Sequence, residues 1–463
     1  MSSLMIGVSG VRGIVGESLT PELLIRLGQA FGTYVMGGPV VVGRDTRVTG
    51  EMVKHSVFGG LLSTGCSIVD VGVCATPTAT LVIEELGAAG GIVISASHNP
   101  AEWNALKFFR SDGFYLNDEE GRNLLDIYYQ GDFTKARFDG FHEVTTNGEA
   151  EERHVKRALE LVDVGTIRQC GFSVALDCCN GAGVRITRMF LEELGCKVHP
   201  LHCTPDGLFP HDPEPTFVNL QDICDYVRDN EVDVGFAVDP DADRVAIIGE
   251  DGAFIGEEYS LGLAADYHLR RMKGPVVTNV STTRAIDDIA ASHGCECIRT
   301  PVGEVNVATR MKELSSPIGG EGNGGVIDPR LHYGRDAIVG IGMALEYMAI
   351  SGRRVTELAG KLPRYHMVKS KVDCHKSYSH EVVRRLTADG EGDRTDLTDG
   401  LKIEWADSWV HLRASNTEPV MRIIAEAKTE EGSGALVEKY GGKVSAILAE
   451  LTGGSSATRA AAP

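Results

Sequence analysis

The chain has 463 residues, room for about three domains at roughly 150 residues each, and its 24% charged and 43% hydrophobic residues exclude a disordered or fibrous polymer and a single small core. Forty-five Lys and Arg against 65 Asp and Glu leave a formal charge of −20, which argues against a non-specific nucleic-acid or anionic-membrane binder but not against a local anion site. No run approaches the roughly 18 apolar residues of a membrane span, and residues 1–9 lack the layout of a signal peptide, so a cytoplasmic location is expected.

Taken in chain order, an apolar β-like run, a turn and a helix-like stretch recur three times. The runs open at residues 40–43, 172–176 and 275–280, and each following segment ends in Gly-Cys: Gly65-Cys66, Gly195-Cys196 and Gly294-Cys295. Glycine there suits a helix C-cap, and another short strand follows, as at 67–71. Third strands are expected at 91–94, 232–238 and 316–319. The pattern predicts a β-α-β-α-β module used three times, with mostly parallel sheets whose chemistry lies beyond the carboxyl ends of their strands. From about residue 365 the rhythm changes: a helix near 380–386, strands at 401–405, 409–413 and 421–427, and a helix near 436–451 predict a smaller α+β domain. Residues 388–400 read as a polar loop and 453–463 as a disordered tail. Eleven Cys, an odd number without C-x-x-C, read as reduced core thiols, neither a disulfide frame nor a structural zinc site.

Three loops follow the third strands. Ser95-Ala96-Ser97-His98-Asn99-Pro100 presents a serine to a cleft and suits a nucleophile, with a self-satisfied Ser/Asn turn equally compatible with the hexapeptide. A Ser-His triad is disfavoured because adjacent side chains of extended backbone diverge. Asp239-Pro240-Asp241-Ala242-Asp243-Arg244 concentrates three carboxylates that would repel one another without a hard cation, Mg²⁺ or Ca²⁺, with a solvated acidic turn as the alternative. Glu250 falls at the twelfth position of an EF-hand, but Arg244 replaces the required glycine and the flanks read as strands. Gly320-Glu321-Gly322-Asn323-Gly324-Gly325 allows close backbone approach, with Glu321 and Asn323 able to meet vicinal hydroxyls; a plain flexible turn suits it as well.

In the last domain Arg413-Ala414-Ser415-Asn416-Thr417-Glu418-Pro419 runs out of a strand, and Arg422 follows. Two guanidinium groups with hydroxyl, amide and backbone donors match a phosphate dianion, and without a nucleotide loop that phosphate belongs to a small molecule. Arg12 sits between glycines in Ser9-Gly10-Val11-Arg12-Gly13. In Gly43-Arg44-Asp45-Thr46-Arg47 both arginines are expected to pair with structural carboxylates rather than touch ligand.

In this order along essentially the whole chain, the motifs resemble the α-D-phosphohexomutases, the phosphoglucomutases, phosphomannomutases and phosphoglucosamine mutases. The resemblance implies three related doubly wound α/β domains and a smaller C-terminal α+β domain around a central cleft. Its expected borders are 1–150 (phosphoserine loop), 151–252 (metal-binding loop), 253–364 (sugar-binding loop) and 365–463 (phosphate-binding loop). It implies a phosphoserine at Ser97; Mg²⁺ held by Asp239, Asp241 and Asp243 with a phosphoserine oxygen, Arg244 beside them; and Arg12, His98 and Lys107 in phosphoryl transfer and proton movement. It further implies Glu321 and Asn323 on sugar hydroxyls, and Arg413, Ser415, Asn416, Thr417 and Arg422 on the non-reacting phosphate.

The implied partner is a sugar phosphate, with a hexose 1,6-bisphosphate as intermediate and activator, no nucleic acid or membrane, and a monomer or homodimer. Asn323 and Gly325 replace the Ser and His of the G-E-x-S-G-H loop of many bacterial members, wording similar to archaeal-type phosphoglucosamine mutases and some dual-specificity phosphomannomutase/phosphoglucomutases. The expected activity is therefore interconversion of hexose 1- and 6-phosphates, with glucosamine phosphate ahead of the dual-specificity alternative. A sugar-phosphate phosphatase and a non-catalytic sugar-phosphate sensor are the rivals from other classes. Either His98 or Lys107 would take the sugar-hydroxyl proton, and a lysine in a cationic, partly desolvated site is expected to have a lowered pKa.

Overall fold

The computed structural model describes residues 4–7, 10–415 and 419–452; the expected tail at 453–463 lies outside them. Four sheets organise the chain. The first has seven strands in the order Met5–Gly7, Gly10–Ile14, Trp103–Arg110, Gly90–Ile94, Val40–Arg44, Ile68–Val73, Val144–Thr146. The second runs Val245–Ile248, Val234–Val238, Ser173–Asp177, Lys197–Leu201, and the third Cys297–Thr300, Val276–Asn279, Ile318–Glu321, Gly325–Ile327. These are the three related α/β units, and the fourth sheet belongs to the smaller α+β unit.

The strands of the repeat pair in parallel, as Val40–Arg44 does with both Ile68–Val73 and Gly90–Ile94. Their cores are valine- and isoleucine-rich because both faces are covered: Val40, Val41, Val42, Ile92, Val93 and Ile94 have no exposed area. The Gly-Cys signal holds its geometry, with φ of +89°, +76° and +69° at Gly65, Gly195 and Gly294, each just past a helix end.

The mostly parallel expectation holds in the second and third sheets, where two of three pairings are parallel, and one feature adds to it. In each unit the third parallel strand is followed by an antiparallel return strand: Gly90–Ile94 by Trp103–Arg110, Val234–Val238 by Val245–Ile248, and Ile318–Glu321 by Gly325–Ile327. All three chemically unusual loops are thus the tips of these returns, and the sheets are mixed. The periodicity that marks parallel core strands carries no signal for the direction of the next strand.

In the last unit the order is His366–Asp373, Val420–Ala427, Trp409–Ala414, Leu401–Glu404, Arg394–Asp396, all antiparallel, backed by the helices Lys376–Ala388 and Glu430–Leu451. No apolar periodicity marks its first and last strands in the sequence. His366–Asp373 is an edge strand largely exposed to solvent, without alternating apolar residues, and Arg394–Asp396 is a short edge segment within the stretch read as polar loop. All cysteines are free. No helix of the described residues is long and apolar enough to cross a membrane.

Candidate active site

The three return loops and the last sheet meet at one cleft of about 650 Å³. Arg12, Ser97, His98, Lys107, Arg244, Glu321, Asn323, Arg413, Ser415 and Arg422 all line it. Asn416 and Thr417 lie outside the described residues.

Ser97 is buried, with a φ of +49° that L-residues adopt at a cost of about 1–3 kcal/mol. Its Oγ donates to Asp239 Oδ2 at 2.8 Å and its N–H donates to Ser95 Oγ at 2.9 Å. Because Ser97 leaves the extended region, His98 is not thrown to the far side: its Nδ1 comes within 3.4 Å of Ser97 Oγ. The premise that adjacent side chains diverge fails at this turn.

One buried arginine holds the loop. Arg47 donates through Nη2 to the carbonyls of Ser97 and Asn99, at 2.6 Å each, and through Nη1 to those of Pro100 at 2.6 Å and Trp103 at 2.9 Å. Its Nε pairs with Asp45 at 3.1 Å, and the guanidinium lies 4.9 Å from the Phe209 ring centre. The expected carboxylate pairing is present for Arg47, and for Arg44 with Glu51. What the sequence did not disclose is that Arg47 gathers four carbonyls of the serine loop.

The acidic loop turns through Ala242, φ +54°, which places Asp239, Asp241 and Asp243 with one ligand oxygen each within 4.8 Å of the others. Each carboxylate is tied by one oxygen and offers the second inward. Asp239 Oδ1 accepts the amides of Asp243 and Arg244, Asp241 Oδ2 accepts from Lys107 and Thr76, and Asp243 Oδ2 accepts from Arg335 at 2.6 Å. Asp241 Oδ1 and Asp243 Oδ1 are buried without a hydrogen-bond partner, with Arg244 Nε 3.6 Å from Asp243 Oδ1, and Asp239 Oδ2 accepts from the Ser97 hydroxyl. Three inward oxygens plus one hydroxyl form an oxygen-only donor set that fits a hard divalent cation.

The electrostatics agree. Burial and the neighbouring Asp243 and Asp241 push the Asp239 carboxyl far above its usual range. Asp241 feels the same burial, but the Lys107 ammonium at 2.5 Å overrides it and holds the carboxyl far below that range. Lys107 correspondingly moves up, not down: burial opposes its charge, and Asp241 more than restores it. The expected lowered lysine pKa is therefore overturned, because the group touching Lys107 is a carboxylate and not a cation. His98 moves well below its ordinary value, by burial first and then by Arg244 and Arg12. Arg12 reaches the same turn, donating to Asn99 Oδ1 at 3.1 Å.

Glu321 is a hub: it accepts from Asn279 at 2.8 Å, from the Gly303 amide at 3.2 Å and from Arg335 at 2.7 Å, with Asn323 at 3.4 Å. Arg335 also pairs with Glu304 at 2.9 Å, so one guanidinium joins the acidic loop to the glycine loop. The glycines are required by space: a Cβ on Gly324 would meet the Val245 carbonyl at 2.6 Å, and one on Gly325 the Arg335 side chain at 2.2 Å. Val245 donates its amide to Gly324 O at 3.0 Å, binding the two loops directly.

At the far end, Arg413 and Arg422 face each other in cross-strand register, and Lys371 pairs with Arg422 on the next strand, a row of three cations on one face. Burial pushes the Arg413 guanidinium down, with Asp399 opposing and Arg422 adding to the shift. Like charges placed opposite one another favour an anion above them.

Sequence reasoning missed Arg335, Thr76, Lys371, Asn279 and the loop-gathering role of Arg47. Asn279, Thr76 and Arg47, at or just past the carboxyl ends of parallel strands, were findable by the strand-end rule; Arg335 and Lys371 come from elsewhere in the chain without a motif.

A cleft ringed by four α/β and α+β units, with a serine beside three carboxylates and a basic row opposite, defines a phosphohexomutase. The chain matches all four domains of the phosphoglucomutase/phosphomannomutase family, alpha/beta/alpha domain I over 3–135, domain II over 152–252, domain III over 257–365 and the C-terminal domain over 367–439. It is 39% identical over 439 residues to a Methanopyrus kandleri protein described as a probable phosphoglucosamine mutase, covering 94% of this chain and 96% of that one. It is 40% identical over 436 residues to a Thermococcus kodakarensis phosphoglucomutase/phosphomannomutase, covering 92% and 95%. A solved Burkholderia thailandensis member of the same family superposes with a TM-score of 0.83 at 25% identity, covering 96% and 98%. The chain belongs to the phosphoglucomutase/phosphomannomutase family.

Proposed function

We propose that this enzyme interconverts glucosamine 1-phosphate and glucosamine 6-phosphate through a phosphoserine at Ser97 and a sugar bisphosphate. The observation that carries the reading is the Ser97 hydroxyl 2.8 Å from Asp239, whose loop gathers ligand oxygens of three buried aspartates within 4.8 Å of one another. Asp239, Asp241 and Asp243, with a phosphoserine oxygen, would hold Mg²⁺, which supplies charge neutralisation for the phosphoryl group.

The chain's own residues do the rest. Arg47 and the Ser95 hydroxyl hold the serine loop in its left-handed turn. Arg12 and Arg244 line the space a phosphoryl group would occupy, adding positive charge. Lys107 is tied to Asp241, which leaves His98, beside Ser97, as the basic group facing the sugar hydroxyl. Glu321 and Asn323 meet the sugar ring, while Arg413, Ser415 and Arg422 grip the phosphate that does not react. For the bisphosphate to return its second phosphate to Ser97, each end must bind either phosphate, and guanidinium donors that read phosphate geometry meet that demand.

The Methanopyrus kandleri relative supports the amino sugar, while the wording of the glycine loop is shared by both readings. The second reading, dual-specificity phosphoglucomutase/phosphomannomutase, is favoured by the equally similar Thermococcus kodakarensis relative. Specificity constants on glucosamine, glucose and mannose 1-phosphates decide between them. A preference for either neutral hexose overturns the amino-sugar assignment, and release of free phosphate instead of 6-phosphate overturns the mutase in favour of a phosphatase.

A further inference from the structure

Away from the cleft, two clusters join two imidazoles to one carboxylate: His154, His332 and Asp336, and Asp177, His202 and His211. Their proton inventories differ. In the first, the Gly334 amide donates to His332 Nδ1 at 2.8 Å, so the ring proton sits on Nε2 and is given to Asp336 at 2.9 Å. His154 spans Asp336 and Thr78, and all three members are at most 2% exposed. That cluster is sealed and complete.

The second lies at the carboxyl ends of adjacent parallel strands, Ser173–Asp177 and Lys197–Leu201, where Asp177 pairs in register with Leu201. Asp177 Oδ1 accepts the Cys179 amide at 2.8 Å. Oδ2 faces two rings, His202 Nδ1 at 2.8 Å and His211 Nε2 at 3.2 Å. His211 Nδ1 is 2.8 Å from the Asp212 carbonyl. A carbonyl only accepts, so Nδ1 carries a proton, and the space between Nε2 and the carboxylate oxygen is filled either by a second ring proton or by a metal ion that both atoms ligate. The outer nitrogen of His202 is 3.5 Å from Asp222. Carbonyl and carboxylate behind the two rings are the supports that metal-ligating histidines use. The rings are 23% and 14% exposed, leaving an entry path.

We propose that Asp177 Oδ2, His202 Nδ1 and His211 Nε2 bind one Zn²⁺, with solvent in the fourth position. Two imidazoles and a carboxylate select borderline transition metals over Mg²⁺. Donor atoms on a tetrahedral ion with bonds of ~2.0–2.1 Å stand roughly 3.3 Å apart, which the 3.2 Å to His211 matches and which the 2.8 Å to His202 reaches by widening about 0.5 Å. No cysteine is a ligand: Cys179 Sγ lies 3.9 Å from His211 Nδ1, the ring's other nitrogen. The ion would pin the loop from His202 to Glu214, whose Phe209 packs on Arg47 and whose Glu214 lines the cleft, so the site braces the wall beside the serine loop.

The test titrates the full chain with Zn²⁺ and with Co²⁺, keeping Mg²⁺ in excess to fill the acidic triplet. The expected result is about one ion per chain, tetrahedral Co²⁺ absorption and a raised Tm, with affinity falling more than about tenfold in His202→Ala and in His211→Ala. Asp177→Asn, which keeps the side-chain shape, gives the same readout should a histidine variant fail to fold, and mutase turnover monitors the fold. Absence of uptake, or uptake unchanged in these variants, overturns the proposal.

Discussion

At the Ser97 end of the cleft the anchors are already made: each aspartate is tied by one oxygen, Lys107 and Arg335 are locked in buried pairs, and Arg47 donates to four backbone carbonyls and to Asp45. At the Arg413–Arg422 end, three cations stand in register on an edge-proximal face, with Arg422 exposed. In the proposed function the first region fixes geometry, while the second, where Arg413 also pairs with Asp399 at 3.3 Å, captures a mobile anion. Changes at the first should therefore act on kcat and changes at the second on KM.

The largest effect that would sharpen this contrast is Ser97→Ala, expected to lower kcat on the order of 10⁴-fold or more with the fold unchanged. Near-normal turnover in a coupled mutase assay would remove the basis of the mechanism. Chelating divalent cations should likewise stop turnover, with Mg²⁺ restoring it; activity that survives exhaustive chelation would break the link between the acidic loop and catalysis. Arg47→Lys cannot reach four carbonyls and should lower kcat by roughly 10²-fold with KM nearly unchanged, since small misplacements of a nucleophile cost that much. A KM effect instead would put Arg47 on the capture side. Arg422→Ala should raise KM roughly tenfold to a hundredfold, the worth of one charge-assisted contact of about 1.5–3 kcal/mol, and an unchanged KM would count against the clamp.

The smallest expected effect is on stability. Lys402, buried beneath the Trp409 ring at 4.4 Å, is pushed down to about 8 by burial and by Arg299, against the pull of Glu404. Because its folded pKa lies below the unfolded value, the penalty is fully present below about 8 and fades as pH rises toward 10.5. Lys402→Met should gain no more than about 3 kcal/mol at pH 7 and flatten the rise in stability between pH 8 and 10.5. Denaturant titrations at pH 7 and pH 10 check it, and an equal change at both would show the effect to be packing alone.

The three loops were legible because their chemistry is contiguous: three alternating aspartates or a glycine run cannot hide in a sequence. The parallel core strands were legible because burial on both faces leaves unbroken valine and isoleucine. Arg335 was not, since its meaning comes from three carboxylates contributed by other segments, Asp243, Glu304 and Glu321. Lys107 was read with the wrong sign for the same reason, as its partner Asp241 lies 134 residues away. Strand His366–Asp373 was hidden by exposure, which removes the alternation that marks a half-buried strand.

Each of the three return loops leaves one strand and re-enters on the strand beside it. Its two ends are thus clamped about 4.8 Å apart by the sheet, whatever lies between them. Lengthening such a tip costs little closure entropy and leaves the strand order untouched. The glycines at 324 and 325 have no room for a side chain, but Asn323→Ser, the residue of many bacterial members, should leave the scaffold threaded, and a change in sugar preference would place specificity at this tip.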